Sequence, residues 1–274
     1  MTTENTTTPT VATERIAEAF RKRKAQGQAA LVPYICAGYP TAEDSLELMR
    51  LAADAGADVI ELGIPFSDPL ADGPTIQKAS FRAIESGMTG AKTFEILRRF
   101  REDRDTPVVL FTYLNPVHHY GIERFVAEAR RSGADGLLLT DLPAGNDPAM
   151  EAAVGAGGLA LIRLVAPTTP ADRIPRILEG ASGFVYYISR TGVTGARTEL
   201  REELGAEIGA LRRRIPLPLA VGFGISSPEQ ARLVAGFADG VVVGSALVDH
   251  VEEGGVEAGG AFLRELRQNM DLRE

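Results

Sequence analysis

Three carboxylates crowd one short stretch of the sequence. Glu61, Asp68 and Asp72 fall within Glu-Leu-Gly-Ile-Pro-Phe-Ser-Asp-Pro-Leu-Ala-Asp-Gly-Pro, residues 61–74, directly after the apolar run that ends at Ile60. Glu61 stands at the join between a strand-like run and the segment that follows. A glutamate turned into a protein interior loses hydration, its pKa rises, and it becomes a general acid or base. Pro65, Pro69 and Pro74 fix φ at their own positions and restrict the residues before them, so the segment is stiff. Asp72, in Ala-Asp-Gly-Pro, has two readings at this point: a second active-site acid, or a turn or helix-capping residue. Asp68, in Ser-Asp-Pro, shares that ambiguity and has the weaker claim to chemistry.

Other chemistries find less support. His118 and His119 are adjacent and so do not share a helix or strand face, and His250 is remote, so no metal site is expected. Ser67, Ser189 and Ser245 lack a nucleophile-elbow context. Lys24, Lys78 and Lys92 fall in helical stretches, which disfavours a Schiff-base lysine. The single cysteine, Cys36, lies in an apolar run and reads as a small buried hydrophobe.

The elements that must carry these residues repeat. Leu-Ala-Ala-Asp-Ala-Gly-Ala-Asp-Val-Ile-Glu-Leu-Gly (51–63), Ala-Glu-Ala-Arg-Arg-Ser-Gly-Ala-Asp-Gly-Leu-Leu-Leu-Thr-Asp (127–141) and Ala-Arg-Leu-Val-Ala-Gly-Phe-Ala-Asp-Gly-Val-Val-Val-Gly-Ser (231–245) each run from helix through Ala-Asp into an apolar strand. Strands are expected at 31–35, 57–62, 107–111, 136–140, 159–164, 184–187, 218–221 and 240–243. Helices are expected near 44–55, 74–85, 92–101, 121–131, 147–156, 172–179, 199–212, 227–234 and 257–270, with an amphipathic starting helix at 11–24. Strands apolar on both faces belong to a parallel sheet covered by helices. The pattern predicts a single (β/α)8 TIM barrel over 11–274, with an additional N-terminal helix and a flexible tail at 1–10. The rival open sheet would carry a glycine-rich dinucleotide loop after its first strand, and Cys-Ala-Gly-Tyr-Pro-Thr lacks that spacing.

A barrel places its chemistry at the C-terminal ends of its strands. That rule selects Glu61, Tyr113, Asp141 and Tyr187. It also selects Gly222 and Gly224 after the seventh strand and Gly244 and Ser245 after the eighth. Loops after the last two strands often hold phosphate, and the segment starting at Gly244-Ser245 offers backbone amides and a helix dipole to an anion. Gly192 and Gly195 can close the same pocket from the sixth loop.

The net charge is −8, without the basic surplus of a nucleic-acid binder. No apolar run approaches the roughly 20 residues of a membrane span. The N-terminus lacks the charged-then-apolar order of a secretory signal. A cytoplasmic location is expected, with no nucleic-acid or membrane partner.

Pro-Phe-Ser-Asp-Pro-Leu-Ala-Asp-Gly-Pro-Thr-Ile-Gln (65–77), with Glu61 two residues before Gly63, resembles the signature of tryptophan synthase alpha subunits. Pro-Tyr-Ile-Cys-Ala-Gly-Tyr-Pro, Thr-Tyr-Leu-Asn-Pro-Val, Leu-Leu-Leu-Thr-Asp-Leu-Pro, Tyr-Tyr-Ile-Ser-Arg-Thr-Gly-Val-Thr-Gly, Ala-Val-Gly-Phe-Gly-Ile-Ser and Val-Val-Val-Gly-Ser-Ala occur in that family's order, so the resemblance runs from about residue 15 to 270. It implies retro-aldol cleavage of indole-3-glycerol phosphate to indole and D-glyceraldehyde 3-phosphate. By resemblance, Glu61 is the proton-transfer group and Asp72 the partner of the indole N–H. Tyr187 matches a tyrosine near the glycerol portion. Tyr34, Ile76, Phe111, Tyr113 and Leu138 match the lining of the indole slot. Gly195, Phe223, Gly224, Gly244 and Ser245 match the phosphate region, and Thr194 a mobile sixth loop. Asp68 is left to loop ordering and subunit contact. The resemblance further implies an α2β2 complex with a beta subunit. No cofactor is expected in this chain, and pyridoxal phosphate is expected in that partner.

Two departures from the family pattern stand out. Cys36 occupies a position where threonine is usual, and Asp-Leu-Pro-Ala-Gly-Asn-Asp (141–147) lacks the acidic pair often found after Asp-Leu-Pro. They leave open an alternative, a stand-alone indole-3-glycerol phosphate lyase that releases free indole. Another phosphate-binding barrel would not need Glu61 and Asp72 together, and a non-catalytic regulatory barrel would have lost one of them.

Overall fold

The computed structural model describes residues 11–188, 198–222 and 224–272. Strands β1 (Ala30–Cys36), β2 (Ile60–Gly63), β3 (Val108–Thr112), β4 (Gly136–Leu139), β5 (Ala160–Val165), β6 (Val185–Ile188), β7 (Leu219–Gly222) and β8 (Gly240–Val243) pair in parallel and in chain order. β8 returns to β1 with Ala30 opposite Gly240, closing the barrel. Around it run α1 (Val11–Ala25), α2 (Ala42–Asp54), α3 (Pro74–Glu85), α4 (Gly90–Phe100), α5 (Leu114–Tyr120), α6 (Ile122–Arg131), α7 (Pro148–Ala156), α8 (Ile174–Leu178), α9 (Thr198–Arg212), α10 (Pro228–Ala235) and α11 (Ser245–Asp271). The fold is the expected (β/α)8 barrel with an N-terminal helix. No helix among the described residues is long and apolar enough to cross a membrane.

Two elements differ from expectation. α5 lies where a loop was expected, because Pro116 is the third residue of that helix, within the first turn, where a missing N–H costs nothing. Gly121, with φ of 87°, then separates α5 from α6. The helical segment after Gly244 and the expected last helix run as one element, α11, broken at Gly254 and Gly255.

The repeated Ala-Asp turns out to be a clasp at the N-terminal floor of the barrel. Leu31 N–H donates to Asp58 Oδ2 (2.9 Å), Val108 N–H to Asp135 Oδ2 (2.8 Å) and Leu219 N–H to Asp239 Oδ2 (2.9 Å). In return the N–H of each aspartate donates to the carbonyl of that same residue. A fourth copy uses a hydroxyl: Leu161 N–H donates to Ser182 Oγ (3.2 Å), and Ser182 N–H to Leu161 O. The sequence comparison missed this copy because serine replaces aspartate. Each odd strand is thus tied to the even strand that follows it. Buried carboxylates need counter-charges. Arg23 and Arg267 serve Asp58, Arg101 and Arg15 serve Asp135, and Arg212 serves Asp239.

The glycine after each of the last three clasp residues admits α1. Ile16 and Phe20 are buried and pack into the inner cluster with Val109 and Phe184. A Cβ at Gly240 would sit 2.9 Å from the Phe20 ring, and one at Gly136 3.2 Å from Ile16. Helix α1 therefore seals the floor, which leaves the opposite end for chemistry.

Candidate active site

Glu61 lies in β2 between Ile60 and Leu62, both of which face the surrounding helices as part of the outer core. Strand alternation turns Glu61 inward. It is only 1% exposed, and its Oε1 is buried without a hydrogen-bond partner. Burial alone pushes its carboxyl up to about 8. A protonated carboxylic acid at neutral pH can deliver a proton, and the carboxylate left behind can accept one.

Asp72 follows on the ordered β2–α3 loop. That loop is tied by Phe66 N–H to Ser80 Oγ (2.9 Å), by Ser80 Oγ–H to Phe66 O (3.0 Å), and by Gln77 Nε2 to Asp72 O (2.8 Å). The N-cap of α3 is Gly73, with Pro74 in the first turn, so the Asp72 side chain does not cap the helix. Capping thus falls away, while the Asp72 N–H closes a turn onto Pro69 O (3.0 Å). Burial pushes Asp72 up to about 6, opposed by a hydrogen bond from Tyr113. Burial thus raises both carboxyls, Glu61 the further of the two. Asp68 is exposed and accepts from its neighbour Ser67 (2.6 Å), away from this pair.

Two tyrosines frame the mouth by the same device. The Tyr34 hydroxyl lies where a Cβ on Gly63 of the neighbouring strand would be, 2.2 Å from that position. The Tyr186 hydroxyl occupies the equivalent place over Gly222, at 2.3 Å. In each case glycine is the residue that leaves room for a phenol across the strand pair. Tyr34 stacks edge-on to Phe111, with centroids 5.2 Å apart, and Phe111 is in register with the buried Leu138. Burial, reinforced by the charges of Glu61 and Asp72, raises the Tyr186 phenol.

This geometry corrects one expected site residue. Tyr187 is fully buried on the outer face of β6, in the core beneath the helices, with its hydroxyl beside Glu207 of α9. Tyr186 is the tyrosine that faces the barrel interior. Both positions are apolar surroundings, so the sequence carries no alternation to set the phase. Cys36 and Thr140 reach the same end of the barrel: Cys36 contacts the Tyr34 hydroxyl, and Thr140, which the sequence did not single out, contacts the Tyr113 hydroxyl.

Of the remaining candidates, Ile76, Gly244 and Ser245 lie together with Tyr34 and Gly73. A Cβ on Gly244 would meet Ile76 at 3.4 Å and Tyr34 at 3.6 Å, and one on Gly73 would lie 4.0 Å from Ser245 Oγ. The start of α11, the start of α3 and Tyr34 therefore adjoin, which sets a helix N-terminus beside the Tyr34–Phe111 ring pair. Gly224 has φ of 75° and is exposed. Thr194, Gly195 and Phe223 lie outside the described residues, as does Gly192. Among the described residues no group of three His, Cys, Asp or Glu side chains could hold a metal ion.

With the site laid out, known proteins can be set beside it. A family model described as tryptophan synthase alpha chain matches residues 20–272. The tryptophan synthase subunit alpha of Legionella pneumophila str. Paris superposes with a TM-score of 0.88 at 41% identity, covering 94% of this chain and 98% of its own. A chain of Mycobacterium tuberculosis tryptophan synthase superposes with a TM-score of 0.86 at 36% identity, covering 94% of this chain and 99% of its own.

Proposed function

The chain belongs to the tryptophan synthase alpha chain family, a family of lyases in tryptophan biosynthesis, and on that premise we propose that it cleaves indole-3-glycerol phosphate to indole and D-glyceraldehyde 3-phosphate. The observation that carries the reading is the buried, proton-holding Glu61 at the end of β2 with the ionisable Asp72 on the loop that follows. The Glu61 carboxyl delivers its proton to indole C3. Positive charge develops on the ring, and the Asp72 carboxylate accepts the indole N–H and stabilises that charge. The Glu61 carboxylate then takes the proton of the glycerol hydroxyl beside the ring. The carbon–carbon bond breaks, its electrons return to the ring, and the hydroxyl carbon becomes the aldehyde. Glu61 ends as it began.

Tyr34, Phe111, Leu138 and Ile76 form the slot for the indole ring, and the supporting role near the glycerol chain falls to Tyr186. The Gly244-Ser245 helix start and Gly224 take the phosphate, with Gly195, Phe223 and Thr194 completing the enclosure. Indole passes to a beta subunit that carries pyridoxal phosphate, in an α2β2 assembly. Leu70, 90% exposed on the same loop as Asp68, supports a docking role for the outer rim of this mouth.

Indole release from indole-3-glycerol phosphate by the purified protein tests the reading. The Glu61→Gln variant should bind substrate and lose cleavage by about a hundredfold or more. Retention of most cleavage would remove Glu61 from the mechanism. Co-elution with a beta subunit, together with a faster alpha reaction, is expected. An unchanged rate and separate elution would favour the stand-alone lyase.

A further inference from the structure

We propose that Tyr113 is a positioning residue for Asp72: its hydroxyl accepts the Ala71 N–H and donates to the Asp72 carboxylate, so that one phenol fixes both the path of the acidic loop and the direction of its acid. The proposal rests on the reading of Asp72 as the partner of the indole N–H. It goes beyond a role for Tyr113 as one wall of the indole slot.

The Ala71 N–H lies 3.1 Å from the Tyr113 hydroxyl. The other ties of the loop come from α3, through Ser80 and Gln77. Among the described residues, Tyr113 alone ties this segment from outside α3, and it lies directly after β3. Its own position is set on two sides. The Phe66 ring lies 5.3 Å away, and the Thr140 hydroxyl contacts the phenol while sitting 3.3 Å from Thr112 O. The ring is buried, only 5% exposed.

Charge explains why a donor is needed there. The ionisable groups whose fields reach Asp72, among the described residues, are Tyr34, Cys36, Tyr113 and Tyr186, and none is a cation. Burial disfavours the Asp72 anion, and the hydrogen bond from Tyr113 is what opposes it. Without the hydroxyl, the group that must be negative to meet the indole N–H holds its proton to higher pH, and the loop loses its tie at Ala71.

Tyr113→Phe keeps the ring and its contact with Phe66. Two ligand-free measurements judge the proposal independently of the substrate. In the variant, the Asp72 carboxyl followed by carbon-13 NMR should titrate about one pH unit or more above its value in the parent protein. Exchange of the Ala71 amide should quicken about tenfold or more. With indole-3-glycerol phosphate, kcat at pH 7 should fall about tenfold or more with a smaller change in KM, and the deficit should shrink as pH rises. Thr140→Val should shift the Asp72 titration in the same direction by less. An unchanged titration and unchanged Ala71 exchange, with a raised KM alone, would overturn the proposal and leave Tyr113 as slot lining. If the parent protein does not cleave the substrate, the functional reading fails, while the titration and exchange still judge Tyr113.

Discussion

Replacing Glu61 with glutamine removes an ionisable group from the barrel interior while keeping its shape, and the consequence for stability depends on pH in a way that few substitutions do. In the folded chain the Glu61 carboxyl sits at about 8, against an ordinary 4.5. A folded-state pKa above the unfolded value means that the folded state holds its proton more tightly. The resulting stability is fully present below about pH 4.5 and is lost as pH rises through 8. The displacement corresponds to about 5 kcal/mol across that window. Glu61 is 1% exposed and has no cationic partner, so solvent screening does not reduce this figure greatly. Glutamine has no such dependence. The stability difference between Glu61→Gln and the parent chain should therefore shift in favour of the variant by several kcal/mol between pH 4.5 and 8, and level off above. Reversible urea unfolding of both proteins at unit intervals from pH 4 to 9 measures it, and subtraction cancels the titration of every other group. A difference that stays flat with pH would show that Glu61 is not a proton-holding buried acid, and would remove the basis for its role as proton donor.

Four further substitutions separate the parts of the molecule. Tyr186→Phe should lower indole release about tenfold with little effect on folding, whereas Tyr187→Phe should leave the rate of the folded enzyme unchanged; steady-state assays at matched folded concentration compare them. Gly63→Ala places a methyl 2.2 Å from the Tyr34 hydroxyl position, so it should cost about 1–3 kcal/mol by thermal unfolding and raise KM as Tyr34 is displaced. Asp135→Asn leaves Arg101 without its buried counter-charge at the floor and should destabilise by about 3 kcal/mol in urea, with kcat of the folded protein unaltered.

The division between what the sequence disclosed and what it hid follows from local physics. Strands and helices were readable because apolar runs alternate with helical stretches, and Ala-Asp marks the entry to β2, β4 and β8. Glu61 was readable because a charged residue in an otherwise apolar strand must face something unusual. Tyr186 was misassigned by one residue because both faces of a parallel strand are buried here, so a neighbouring pair of tyrosines gives no phase. Tyr113 was expected as a wall of the slot, and its tie to the acidic loop was missed. Its bond to Ala71 joins residues 42 apart in the chain, and nothing local in sequence encodes that contact. Helix α5 was hidden because its seven residues, Leu114–Tyr120, are too few to show a helical period.

The floor clasps also bear on the order in which such a barrel can assemble. Their partners are 27, 27, 21 and 20 residues apart, so each joins two strands that emerge one after the other in the chain. Contacts at that separation close quickly, because the entropy lost grows slowly with loop length and the loops are short. Four strand doublets can therefore form as local units. The seams between doublets have backbone ladders but no such side-chain tie among the described residues, and the seam between β8 and β1 joins Ala30 to Gly240 across nearly the whole chain. Ring closure therefore bridges the largest sequence separation among the strand pairs, and it falls where α1 also packs into its glycine-lined seat.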